Sequence, residues 1–344
     1  MYTLKQATLA AGKAIMKSPI AIYEMLAVSA SDKQISMTAC NGEIGITAIA
    51  PFDGEAFQCC VPGIQFINII AATEKPTLKM NGDKLVVSDR RSRFSVNTLP
   101  FDNHPGIPQN DVNDTVVTMP GDFNEMLRAV AYASGKNDGR YYLNGVLAES
   151  TGSLLSAVAT DGHRLAKMDI PATVPPFKFI IPIRSIATLI TINAETTEIG
   201  SVLTLRNEDV TISTKAISSK YPSWRTMIPS DRPACEADKN EFVDAVKTLN
   251  KLKEDDAAHM VMQWSDNGLQ ISSHGAHVDE SGYTFDCQAD SVGEFSANIK
   301  YFADIASTIK SDTIRFEYDR INSAEKALTI EDGDILHLLM PIRK

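Results

Sequence analysis

"ATDGHRLA" (residues 159–166) sets an Asp, a Gly, a His and an Arg in one run. Two readings are open. On a strand, Asp161 and His163 would share a face and could begin a metal site or a proton relay. Alternatively Asp161–Gly162 is the turn of a hairpin, and Leu165 lies on the returning strand. The second pattern recurs along the chain. "LKMNGDKLVVSD" (78–89) turns at Asn81–Gly82, and "MQWSDNGLQISSH" (262–274) turns at Asn267–Gly268. "TLRNEDVTIST" (204–214) alternates in the same way. A Gly-containing turn pair between alternating apolar residues is a strong short-range hairpin signal.

Between these hairpins lie six segments with helical apolar periodicity, at residues 2–17, 62–75, 120–136, 182–194, 239–253 and 298–310. Three open with Pro, a favoured first helical residue. Their starts recur about every 60 residues, so one helix plus about four strands is repeated six times. A coarser period of about 120 pairs "SRFSVNTLPFDNHPG" (92–106) with "KAISSKYPSWRTMIP" (215–229), each a strand running into a Pro-containing loop before a helix. The expected organisation is α+β in three similar domains, 1–117, 118–230 and 231–344. Each would hold two helices on antiparallel sheets.

The 344 residues are 44% apolar and 22% charged, an ordinary globular balance for a chain of two or three domains. The longest apolar runs are too short or interrupted to span a bilayer, and no secretion signal is evident, so a cytoplasmic location is expected. Cys40, Cys59, Cys60, Cys235 and Cys287 read as reduced, buried thiols.

Net charge is −10, which argues against a simple basic nucleic-acid binder. Its distribution reads differently. The six helical segments together carry +7, leaving −17 for strands and loops. Helices facing a common space would then attract a polyanion such as DNA while the outside repels it. Lys is also simply a good helix former on a solvated face. Six helices ~10 Å wide, side by side, enclose a hole of roughly 9 Å, too narrow for a duplex. Twelve enclose roughly 28 Å, so encirclement needs two chains.

An enzyme reading finds little support. Asp161 and His163 have no evident third partner, there is no P-loop and no Gly-rich fingerprint, and His274 and His277 form only an H-x-x-H in a loop. No catalytic residue, metal or cofactor is expected.

"RYYLNGVLAE" (140–149) followed by "VATDGHRLA" (158–166) closely resembles the bacterial sliding clamp family, the beta subunit of DNA polymerase III. The likeness continues through "RSRFSVNTLP" (91–100), "YPSWRTMIP" (221–229), "LTIEDGD" (328–334) and "LLMPIRK" (338–344), covering all three domains in order. The resemblance implies three clamp-fold domains forming half of a closed ring, and a head-to-tail homodimer around duplex DNA without sequence preference. It implies a non-catalytic processivity factor that tethers DNA polymerase, the clamp loader and other replication and repair proteins through short peptides.

The partner cleft would comprise Leu143, Thr160, Gly162, His163, Arg164, Leu165, Pro222, Met227, Asn298, Tyr301, Leu338, Leu339, Met340, Pro341, Ile342 and Arg343. DNA contacts would fall on Lys13, Lys17, Asn137, Arg140, Tyr141 and Tyr142, with one of the two tyrosines reaching DNA. The dimer interface would use Phe94 and Val96 against Lys251 and Leu252. Thr226 stands where the family often has Arg, and Lys344 where it often ends on an apolar residue. These departures fit a divergent, phage-borne or plasmid-borne member. The alternative function is a monomeric, non-encircling scaffold or decoy that binds the same peptides.

Overall fold

The structure is a computed structural model that describes residues 1–342 except 32, 230–232, 254–257, 266, 274–280, 288, 290 and 320–321. His274, His277, Arg343 and Lys344 lie outside the described residues. Six helices are present among those described: α1 (Leu4–Gly12), α2 (Gly63–Ala72), α3 (Phe123–Val130), α4 (Ile183–Leu189), α5 (Lys239–Leu252) and α6 (Ile299–Ala306). Each falls inside one of the six periodic segments. None is long and apolar enough to cross a membrane.

The helices are shorter than the periodicity implied, and this corrects the charge argument. Beyond Gly12 the backbone tightens, with the amides of Ala14 and Ile15 bonding three residues back to Ala11 and Gly12. Lys13 and Lys17 therefore fall outside α1. In the same way α3 passes into a 3₁₀ turn at Ala131–Ala133, and α4 stops before the β-branched run Ile190–Ile192. Over their true spans the six helices sum to +3. Much of the positive charge sits in the turns that follow them.

The chain forms two compact units. The first comprises Met1–Asn124 and Arg184–Ile217. Its main sheet has eight antiparallel strands in the order 57–62, 25–30, 34–40, 44–51, 210–215, 202–206, 196–199, 117–118. The join in this sheet is the pairing of Val210–Thr214 with Ile44–Ala48. Strands 77–81, 84–88 and 93–97 make a separate three-stranded sheet in that order, with Arg93–Asn97 one of its two outer strands. Thr3 opens α1 with a capping box, exchanging bonds with Gln6. α1 packs on both α2 and the strand Ile44–Pro51. Gly12 sits at the helix crossing: a Cβ there would lie 2.5 Å from Ile67 Cδ1, so a larger residue would require the Ile67 side chain to turn aside.

The second unit comprises Glu125–Ile183 and Ser218–Lys344. A six-stranded sheet runs in the order 234–238, 313–317, 328–332, 335–339, 164–182, 145–160. A four-stranded sheet runs 281–285, 268–273, 259–265, 293–298. Strand alternation supplies the core, with Met260, Met262 and Trp264 turned inward from His259–Ser265. α5 and α6 pack together over this core. Phe242 meets Phe316 at 5.0 Å and Trp264 meets Tyr318 at 4.5 Å between ring centres.

Candidate functional site

The run 159–166 resolves as a turn. Strands Gly145–Thr160 and Arg164–Pro182 pair with Thr160 opposite Leu165, and Gly162 adopts φ +90°, which side chains with a Cβ rarely tolerate. Asp161 Oδ1 accepts from the amides of His163 (2.9 Å) and Arg164 (3.1 Å). Thr160 Oγ1 accepts from the Gly162 amide (3.1 Å) and donates to the Arg164 carbonyl (2.6 Å). Asp161 is thus committed to holding the turn. The His163 ring lies stacked on Tyr301, 6.3 Å between centres.

Behind the turn, Arg164 is nearly buried and fully engaged. Its guanidinium donates to Asp161 Oδ2 (3.1 Å), Asp304 Oδ2 (2.6 Å) and the Tyr132 carbonyl (3.0 Å). It also lies over the Tyr301 ring at 4.5 Å and the Tyr132 ring at 5.2 Å. Burial works against its charge, but the hydrogen bond it donates to Asp304 and the charges of Asp161 and Asp304 outweigh it and raise its pKa. Beneath, the Tyr132 hydroxyl meets His337 Nδ1 at 2.7 Å. Burial pushes the Tyr132 phenol up and the His337 imidazole down to about 4.

Beside the turn opens a cleft of ≈ 560 Å³. Leu143, Thr160, Gly162, Arg164, Leu165, Pro222, Met227, Leu338 and Met340, all singled out from the sequence, line it. Leu143, Leu165 and Leu338 are buried apolar floor, whereas Met227 and Met340 are 51% and 43% exposed at its edges. His163, Asn298, Tyr301, Leu339, Pro341 and Ile342 do not line this cavity, and Arg343 lies outside the described residues. Leu339 packs into the core cluster, and Asn298 caps α6 by accepting from the Lys300 amide (2.8 Å). The closing segment is held by two backbone bonds, Met340 N–H to the His163 carbonyl (2.9 Å) and Ile342 N–H to the Ser296 carbonyl (2.8 Å), with Pro341 between them.

The residues assigned to DNA divide. Tyr141 is 58% exposed, while Arg140 and Tyr142 line the cleft. Arg140 pairs with Asp138 (2.9 Å), donates to the Asp161 carbonyl (3.1 Å), and covers the face of Gly162. That pairing holds the Asp138 carboxyl down at about 2. Asn137 is exposed with φ +60° on the same loop. In the first unit, Lys17 is exposed and Lys13 Nζ donates to Thr191 Oγ1 (3.2 Å). Of the interface residues, Phe94 is half-buried on the outer strand and Val96 is buried within its own sheet layer. Lys251 and Leu252 are exposed at the end of α5.

Several lining residues carried no sequence motif. Glu325, Lys326 and Ala327 reach the cleft because the strand they precede pairs Leu328 with Leu339. Ile228 and Pro229 extend the Met227 wall and were legible only as part of "YPSWRTMIP". Tyr132 and Asp304, partners of Arg164, had only their apolar helical context as a signal.

Comparison with known proteins places this geometry. Residues 2–108, 118–223 and 225–343 match in turn the N-terminal, central and C-terminal domains of the DNA polymerase III beta subunit. The chain is 24% identical to the beta sliding clamp of Vibrio cholerae, over 95% of this chain and 93% of that protein. It is 25% identical to that of Escherichia coli K12, over 92% and 91%. In fold it resembles the sliding clamp of Bacillus subtilis (TM-score 0.89, 20% identity, 99% and 97% covered). It also resembles a Pseudomonas aeruginosa sliding clamp bound to griselimycin (TM-score 0.89, 21% identity, 99% and 97% covered). With all three domain models matched in order along nearly its whole length, the chain belongs to the DNA polymerase III beta-subunit family, the bacterial sliding clamps.

Proposed function

We propose that two copies of this chain close head to tail into a ring around duplex DNA and tether DNA polymerase and other partners by short peptides held in the cleft. Like its family, the protein is a non-catalytic subunit. The observation that carries the reading is the cleft itself. It has an apolar floor of Leu143, Leu165 and Leu338, two methionine edges, and the Arg164 network fixing the adjacent turn. Such a groove buries aliphatic or aromatic anchors of an extended peptide and leaves its backbone to the polar rim.

Three domains bounded near 117 and 230 supply the ring. DNA is met by Lys13 and Lys17 in the first unit and by Asn137 and Tyr141 on the loop of the second, with Tyr142 turned to the cleft. Ring closure sets the outer strand Arg93–Asn97, through Phe94 and its free backbone edge, against Lys251 and Leu252 of a second copy. The buried Val96 supports that strand from within.

The deciding experiment loads the protein on closed circular DNA and then linearises it. A ring stays on circles and slides off ends. A protein that sediments as a monomer and is never retained on circles is instead a non-encircling scaffold or decoy.

A further inference from the structure

We propose that Glu149 is a positioning residue for the partner cleft, setting the wall that carries Thr226 and Met227. The inference rests on the reading of the cleft as a peptide site. Glu149 lies on the strand Gly145–Thr160 and is almost wholly buried. A buried carboxylate is costly to desolvate and persists only where donors surround it. Its donors are specific. Oε1 accepts from Trp224 Nε1 (2.9 Å) and Arg225 Nη1 (2.5 Å), and Oε2 faces Lys178 Nζ (3.2 Å) from the neighbouring strand.

Two of the three donors belong to the single 3₁₀ turn Trp224–Met227. The next two residues along it, Thr226 and Met227, line the cleft. One such turn is weak alone. Its internal support is the Thr226 amide and hydroxyl on the Ser223 carbonyl, at 3.3 and 2.8 Å. Trp224 is buried and covered by Arg225, whose guanidinium sits 4.3 Å from its ring centre. Tyr221 contributes a long bond to the Val158 carbonyl (3.4 Å). The short, charge-assisted bonds to Glu149 therefore fix where the turn sits on the sheet. Met227 is the last residue of this turn and lines the cleft, so the carboxylate delivers it through Trp224 and Arg225.

The test measures binding of a fluorescein-labelled extended peptide carrying adjacent Leu and Phe side chains to the full-length protein. Glu149→Leu is expected to weaken binding about tenfold, the scale of one lost charge-assisted bond. Glu149→Gln, which keeps an acceptor for Trp224 but not the charge, falls between. Once loaded, both variants are held on circular DNA as long as the wild type. Each variant is then combined with Met227→Ala. If Glu149 acts by placing Met227, its loss costs much less in that background. Wild-type affinity in Glu149→Leu, or losses that simply add, overturns the proposal. Should Glu149→Leu fail to fold, Arg225→Gln removes the other end of the same bond and is read by the same cycle. A wild type that does not bind the peptide sinks the cleft reading and this inference with it. A wild type that binds beside indifferent variants sinks this inference alone.

Discussion

Replacing Arg164 by Met tests the network behind the turn. Met keeps most of the aliphatic volume and removes the guanidinium, and with it donors to Asp161, Asp304 and the Tyr132 carbonyl. Breaking a fully buried pair costs about 3–5 kcal/mol. Two features of the site lower that figure. Asp161 keeps two amide donors from the turn, and the Asp304 side chain is 33% exposed and can be rehydrated. The Tyr132 carbonyl, by contrast, loses its guanidinium donor. The expected destabilisation is about 2–3 kcal/mol, equivalent to a fall of ~5–10 °C in the Tm of the second unit. Asp304→Asn, which retains an acceptor, is expected to cost about 1 kcal/mol. Scanning calorimetry with urea titration gives both numbers. Arg164→Met within about 0.5 kcal/mol of wild type would show that the guanidinium is no structural anchor and refute the argument.

Leu165→Ala removes a floor residue that is 1% exposed and should weaken peptide binding by about 2 kcal/mol, some thirtyfold, by fluorescence anisotropy; an unchanged Kd would mean the peptide lies elsewhere. Lys13→Glu with Lys17→Glu should lower retention on circular DNA and flatten the dependence of log K on log salt by about 2 if both lysines meet phosphate, with sedimentation unaltered; an unchanged slope excludes them. His337 is depressed from 6.5 to about 4 by burial. Above pH 6.5 its imidazole is neutral folded and unfolded, so it contributes no pH dependence. Between 6.5 and 4 the unfolded chain takes up a proton that the folded chain refuses, so stability declines as pH falls, by at most about 1.4 kcal/mol per pH unit. Urea midpoints at pH 5 and 7 should therefore converge in His337→Asn relative to wild type, and equal gaps would contradict the shift.

Local physics made much of the fold readable. The six helices stand where 3.6-residue periodicity and leading prolines place them, and Gly82, Gly162 and Gly268 all take positive φ at the turns their neighbours announced. Helix ends were not readable, because tightening after Gly12 and the β-branched run after Leu189 leave the apolar pattern intact while breaking the backbone pattern. That error carried the charge of Lys13 and Lys17 into a helix they do not join. In the cleft, residues on contiguous motifs such as Thr160, Leu165 and Met340 were visible, and Glu325–Ala327 were not, because strand pairing with Leu339 is a long-range event. The same holds for Glu149 and Trp224, which meet across 75 positions of chain.

The sharing of strands between segments has a bearing on dissection. The central stretch that matches the family, residues 118–223, gives its strands Val202–Arg206 and Val210–Lys215 to one sheet and Gly145–Thr160 and Arg164–Pro182 to another. Cut out at those bounds, it would leave Ile44–Pro51 and Ile335–Leu339 behind and expose two hydrogen-bonding edges, Val210–Thr214 and Arg164–Met168, where they had paired. The repeat visible in the sequence is therefore not the unit that can live alone. A soluble fragment requires cuts that follow the sheets, and a fragment cut by the repeat is expected to self-associate through its open edges.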